Sequence, residues 1–456
     1  MNKNKVSKKN TYIIGVFTLV SIISCVIFRI SLFYGFFSSI VLSLSILLKG
    51  GFTIEQLLYM IKNSLVECKD LFILILLIGA TVPIWFSAGV IPTMMYYGFV
   101  YMQGVNLLFM VFIFTSIVSV FMGSAFAVIS TVGIAILGVG KVFGIPDYIL
   151  LGAIVSGAFL ADKISPISGL MNLTLITTKT SYRNALSSMS RTLLPGYFFS
   201  GAVYFYLGKG YNLVLNSSDL VIMELVLKKS FYISPALLLL PVCMFILCFL
   251  GIKIIRAISL VLISGVVIAV TTQKVSLTNI FWSILAGYKG NTELEELNSI
   301  LLCGGITSIV EILLIIIGAI TLSSLFRGTG LIAPLVDRII ARVKSKREMV
   351  FKTSIISSIL TLICDQSVGV ILPGELLKNK YRELGIDNAT LARTISDTGI
   401  IIAPLIPWNV NSLFILMLTG VSATTYAPYA VLCYALPLIT VLSGCIEGLR
   451  KLPNSQ

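Results

Sequence analysis

Histidine is absent from the 456 residues, so no imidazole can hold a metal and no histidine relay can carry a proton. Acid–base work falls to carboxylates, lysine or water. Charge is scarce as well: 11% of residues are charged against 57% hydrophobic, whereas a soluble domain carries about a quarter charged residues. The eight cysteines form no CxxC pair and lie mostly inside apolar runs. They read as small core residues, which excludes a disulfide or metal framework. An HExxH motif, a catalytic Ser/Lys pattern and a glycine loop followed by Lys-Ser/Thr are all missing, so the chain reads neither as an intramembrane enzyme nor as a phosphate-loop protein. Nothing in it looks like a channel filter, a Gly/Ser-rich linker, a low-complexity tract or a soluble domain.

What the chain does have is long uncharged runs, from Thr11 to Phe28 at one end to Tyr426 to Cys445 at the other. Because a spanning helix needs about 20 apolar residues, these predict an all-α integral membrane protein with roughly 10–12 crossings, several of them broken or re-entrant. The first run follows Lys3, Lys5, Lys8 and Lys9 but is long, lacks a small-residue cleavage site and is soon followed by a second run. It reads as a retained helix with a cytoplasmic N-terminus rather than a cleaved signal. The net charge of +14 has the same origin, since cytoplasmic loops collect Lys and Arg. The expected partners are the lipid bilayer of the cell membrane and a transported small ion or solute, with no nucleic acid and no resident cofactor. A homo-oligomer is compatible with this pattern.

Three landmarks recur at one spacing. Gly89 and Gly330, Ser124 and Asp365, and Gly133 and Gly374 are each 241 positions apart (330 − 89, 365 − 124, 374 − 133). They divide the chain into N-terminal helices and an interfacial segment (1–70), a first repeat (71–207), two connecting helices with polar flanks (208–298), a second repeat (299–448) and a short polar tail (449–456). Within 1–70, Thr53 to Asp70 carries apolar residues at helical spacing with charges between, as an interfacial helix would. Each repeat holds an acidic break near proline, Asp162 with Pro166 in the first and Asp397 with Pro404 and Pro407 in the second. The stretch after Gly330 carries Arg338, Arg342, Lys344, Lys346 and Arg347, while its counterpart Tyr97 to Asn106 is uncharged. The positive-inside rule therefore puts equivalent loops on opposite sides. Inverted repeats with broken helices meeting at the midplane are the architecture of secondary transporters.

The candidate site residues are those whose chemistry is costly in hydrocarbon. A carboxylate at the centre of a spanning helix costs about 2.5–3.5 kcal/mol on insertion scales, and proline frees backbone carbonyls. Asp162 follows a charge-free stretch and precedes Pro166, with Ser165 and Ser168 near enough in sequence to bond it, and Lys163 adjacent as an ion-pair partner. Asp365, with Gln366, offers hard oxygen ligands or a helix cap. Asp397 and Thr398 precede Pro404, Pro407 and Asn409, whose freed carbonyls and amide suit a polar pocket. Ser124 is a hydroxyl facing a broken helix. Glu311, alone in an apolar run, is either buried and protonated or part of a proton path, and Glu375 lies toward the charged segment Lys378 to Arg382.

Several long motifs in order resemble the NhaC-type sodium/proton antiporters of the ion-transporter superfamily: Gly79 to Gly98, Gly123 to Gly140, Ser156 to Gly169 (SGAFLADKISPISG), Asp365 to Glu375 (DQSVGVILPGE) and Ser396 to Asn409 (SDTGIIIAPLIPWN). The resemblance implies an inverted-repeat carrier that exchanges external protons for internal sodium, with sodium at Asp162 and Asp365. It also extends to carriers that couple ions to organic anions or amino acids. This chain departs from the family pattern where an Asp and two Thr would follow the Ser-Pro-x-Ser element: it has Gly169, Leu170 and Met171. Ala125 and Val128 replace further hydroxyls, and Glu311 stands where a neutral residue is expected. Two mechanisms follow: sodium/proton exchange by competition for the carboxylates, or ion-coupled movement of a small organic anion or amino acid.

Overall fold

A computed structural model describes residues 8–101, 104–211, 217–331, 336, 339–340 and 343–447. The lysines before residue 8, the tail 449–456, and Arg338 and Arg342 lie outside them. Among the described residues every regular element is a helix, apart from an isolated bridge between Tyr288 and Cys303. Among the described residues, six helices are long and apolar enough to cross a membrane, or nine if each of three bent pairs is one span. Three apolar helices are shorter, Leu107–Met122, Ala125–Gly140 and Leu277–Ala286. Large apolar side chains such as Phe28, Phe198 and Tyr206 are exposed on the outside of this bundle, as they must be where lipid rather than water is the solvent. The protein is a multi-pass membrane protein.

Several local features recur at the spacing of 241. Ser124 Oγ accepts from the Ala127 amide (3.4 Å) and Asp365 Oδ1 from the Val368 amide (3.1 Å), each capping a helix. Pro166 and Pro407 hold the preceding Ser165 and Ile406 in extended backbone (ψ 130° and 112°), the conformation that a following proline enforces. Ser168 and Asn409 then start the helices Gly169–Thr178 and Val410–Thr419. Both end in a left-handed residue, Lys179 (φ 53°) and Gly420 (φ 71°). One sequence expectation is corrected by this register: 241 positions from Asp397 is Ser156, and from Asp162 is Ala403. The two acids follow one another in chain order but do not occupy equivalent places.

The connection from 208 to 298 is also richer than the expected two helices. It contains Ser217–Ser230, Leu239–Phe249, Ile254–Thr271, Leu277–Ala286 and the short Glu295–Ile300. The extra helices are amphipathic or short, so their apolar residues do not form the unbroken runs that mark a span. Ile54–Glu67 forms the expected amphipathic helix, started by a reciprocal cap between Thr53 and Gln56, and packs on Ile306–Gly328.

The halves grip each other through crossed contacts. Tyr182–Lys209 of the first packs on Asn388–Ile395 of the second, while Val431–Glu447 of the second packs on Asp147–Ala158 of the first. Reciprocity of this kind is what a two-fold relation between two units produces. Buried Tyr204 anchors one crossing: its hydroxyl donates to the Tyr429 carbonyl (2.7 Å), lies 2.6 Å from Ser156 Oγ and accepts from the Val431 amide (3.0 Å). These bonds satisfy the backbone where the chain turns 60° between Ala423–Tyr429 and Val431–Gly444. Tyr204→Phe leaves the Val431 N–H without its acceptor, and a buried unsatisfied group costs about 1–3 kcal/mol. The thermal midpoint of the purified variant in detergent is expected to fall; an unchanged midpoint contradicts the anchoring role.

Candidate functional site

The centre of the molecule is built from helix breaks and from the groups that satisfy them. In Ser396–Ile400 the helix widens into a π turn and then stops, leaving successive carbonyls without a next turn to donate to them. Each carbonyl is met by a side chain from the neighbouring helices. Ser358 Oγ donates to Thr398 O (2.8 Å), Thr361 Oγ1 to Gly399 O (3.0 Å) and Gln366 Nε2 to Ile400 O (2.7 Å). The first half repeats the device once, with Ser119 Oγ on Gly157 O at 2.8 Å. Farther along, Pro404 O accepts from Tyr426 Oη (2.6 Å) and Ile406 O from Ser412 Oγ. The carbonyls expected to lie free beside Pro404 and Pro407 are therefore engaged, because an unpaired carbonyl in an anhydrous interior costs several kcal/mol.

Asp397 lies on this turn and is completely buried. Lys163, also completely buried, pairs with its Oδ1. Its Oδ2 accepts from Thr192 Oγ1 (2.8 Å) and Thr440 Oγ1 (2.6 Å). Lys163 thus reaches across to the second half rather than to its neighbour Asp162. Consecutive residues on a helix point about 100° apart, so one helical turn cannot aim both side chains at a shared point. Thr398 bonds back to Thr394 O (2.6 Å), as hydroxyls in membrane helices commonly do.

Asp162 sits just before the 42° bend between Asp147–Ile164 and Gly169–Thr178. It is half-buried, and among the described residues its hydrogen bond comes from Ser168 Oγ, at 3.4 Å. Ser165 is turned away, donating to Val120 O (2.6 Å). The short turn that carries Asp162 packs on the π turn that carries Asp397. Asp365, half-buried, caps its helix through Oδ1 and accepts from Ser323 Oγ through Oδ2 (3.4 Å). A closed amide set lies between the breaks: Asn411 Nδ2 donates to Gln366 Oε1 (2.9 Å) and Asn409 Oδ1 (2.8 Å), and Asn409 Nδ2 to Thr361 O (3.3 Å).

Two candidates lie elsewhere. Glu311 is exposed, and its Oε1 accepts from Ser31 Oγ (2.7 Å) at the start of the Leu32–Lys49 helix. The expectation of a buried glutamate is corrected: its helix presents that side to the N-terminal helices, not to the core. Glu375 is exposed too. Conversely, Thr192 and Thr440 complete the Asp397 site, the first from the start of an uncharged run beside Arg191 and the second from the middle of one. Asn411 stands two residues past Asn409 in the same polar motif and was legible there.

Removing Lys163 tests the buried pair. Lys163→Met strands a carboxylate in the interior, which costs about 3–5 kcal/mol, whereas a well-packed apolar replacement of both partners is close to neutral. Thermal unfolding in detergent is expected to show a large loss for Lys163→Met and recovery of most of it in Lys163→Met/Asp397→Leu. Equal loss in both variants would show that the pair is not the source.

Residues 157–446 match the model of the Na+/H+ antiporter family, a span that includes all three aspartates. An "Na(+)/H(+) antiporter NhaC" of Bacillus subtilis is 27% identical over 436 residues, 95% of this chain and 96% of its own length. Another, of Alkalihalophilus pseudofirmus, is 26% identical over 387 residues, 84% of this chain and 83% of its own length. A "Malate-2H(+)/Na(+)-lactate antiporter" of Bacillus subtilis is 24% identical over 441 residues, 95% and 93% of the two chains. With the family model covering well over half the residues, the chain belongs to the Na+/H+ antiporter family.

Proposed function

We propose that this protein exchanges sodium for protons across the cell membrane, with Asp162 as the carboxylate that holds one or the other. The observation that carries the reading is the contrast between two acids. Asp397 has both oxygens engaged by Lys163, Thr192 and Thr440, while Asp162 is half-buried and has Ser168 at the long distance of 3.4 Å. An ionised carboxylate offers sodium a hard oxygen ligand; a protonated one does not. Occupancy by one ion excludes the other, and a site that opens to each side in turn converts this exclusion into exchange. Asp365, with Ser323, is the second carboxylate in the ion path. Asp397 and Lys163 act as the joint between the halves. The two repeats are read as inverted, with the N-terminus and the basic stretch after Gly330 cytoplasmic, on the strength of loop charge and the crossed helix contacts.

A second reading, exchange of a small organic anion or amino acid coupled to an ion, draws on Gly169. Nothing lies within 4 Å of where its side chain would start. This open space adjoins Ser168, at the N-terminus of a ten-residue helix where Ser168 makes no side-chain cap. Helix N-termini favour anions, and one relative is named for carrying malate and lactate.

Reconstituted in proteoliposomes without organic solute, the purified protein is expected to move protons when a sodium gradient is imposed. Asp162→Asn should abolish that movement while leaving the amount of folded protein unchanged. Exchange at the normal rate in Asp162→Asn overturns the site; sodium-independent behaviour together with counterflow of an organic acid overturns the first reading in favour of the second.

A further inference from the structure

At the end of Ile306–Gly328, Arg327 Nη2 pairs with Glu67 Oε2 at 2.7 Å and reaches Ser64 Oγ at 3.5 Å. One turn back on the same face, about 5.4 Å along the axis, Ser323 donates to Asp365. Arg327 thus lies one helical turn from the serine that touches the carboxylate proposed as an ion ligand, and is engaged by Glu67 instead. Cys68 lies where these groups meet. Burial first, then the charges of Asp365 and Glu67, push its thiol up, while Arg327 pulls it down. The ion pair is wet, with side chains 38% and 61% exposed, and Asp365 is half-buried, so the cluster sits between solvent and interior.

The corresponding positions of the first repeat carry different residues. Counting back 241 positions, Arg327, Ser323 and Asp365 correspond to Phe86, Val82 and Ser124, and Phe86 is buried and stacked on Tyr288 with ring centres 5.6 Å apart. A charged device that is present in one repeat and replaced by apolar packing in the other acts at one end of the pathway.

We propose that Arg327 is a tethered cation that competes with sodium for Asp365, and that Glu67 sets the affinity of this end of the path by holding Arg327 away. The inference rests on the reading of Asp365 as an ion ligand. When sodium occupies Asp365, Arg327 stays on Glu67; when sodium leaves, the guanidinium can satisfy the vacated carboxylate and oppose re-entry. Loop charge puts this end at the cytoplasmic face.

The test is the sodium KM for exchange, measured at each face in oriented proteoliposomes. Because couplings between partly exposed charges are modest, Glu67→Gln is expected to raise KM at the Glu67 face by about two- to fivefold and leave the other face unchanged. Arg327→Gln is expected to lower KM there, and Glu67→Gln/Arg327→Gln to match Arg327→Gln, since no cation remains to be released. If the double variant keeps the rise caused by Glu67→Gln, general surface charge explains the effect and the proposal fails. An unchanged KM in Glu67→Gln, or an equal change at both faces, also overturns it. Asp365→Asn separates the two layers of the argument. An unaltered sodium KM in Asp365→Asn removes Asp365 as a ligand, and the proposal with it; a raised KM there with none in Glu67→Gln removes the role of Arg327 alone.

Discussion

Hydrocarbon supplies no hydrogen bonds, and a helix that breaks inside it must find partners for every backbone group it frees. The organisation of this protein follows from that constraint. The carbonyls of Thr398, Gly399 and Ile400 are each met by a side chain from a neighbouring element, and the turn after Tyr429 is met by Tyr204 and Ser156. Ser358, Thr361 and Gln366 are committed to this task, while hydroxyls such as Thr115, Thr353 and Thr394 bond back to the carbonyl four residues earlier in their own helices.

The buried pair of Lys163 and Asp397 extends the same logic from dipoles to charges. Each is costly alone in the interior, and together with two threonine hydroxyls they form a satisfied unit. The lysine belongs to the first repeat and the aspartate to the second, so the cheapest arrangement of the charges is also a bond between halves. Its consequence is a difference in surroundings among acids that share a residue type. Asp397 is held, Asp162 has one long hydrogen bond, and Asp365 shares its oxygens between a helix cap and a serine.

Much of the fold was legible in the sequence. The scarcity of charge marked a membrane protein, and three landmarks at a spacing of 241 anticipated a register that extends to caps, extended pre-proline residues and left-handed helix ends. Proline and capping residues act on their immediate neighbours, which is why they can be read locally. Among the candidate residues, Asp162 has the hydrogen bond from Ser168 that the sequence suggested, whereas Gln366 turns to Ile400 O and Asn411 and leaves Asp365 to Ser323 and the Val368 amide. The pairing of Asp162 with Asp397 across the repeat did not hold in register, because acids were matched by order along the chain. Glu311 was legible as unusual but not as exposed, since which side of a helix meets lipid, partner helix or core is decided by packing.

The sequence by itself determined that the chain is an all-helical membrane protein with carboxylates at breaks beside proline. Hydropathy, proline geometry and repeat spacing are local or periodic properties, and survive without knowledge of what lies opposite. Only the tertiary structure decided that Lys163 serves Asp397 rather than Asp162, that Thr192 and Thr440 complete that site from uncharged runs, and that Arg327 leans on Glu67 beside Asp365. These are contacts between residues from 43 to 260 positions apart. Which charge meets which in a low-dielectric interior is set by the packing of whole helices, and adjacency along the chain carries no information about it.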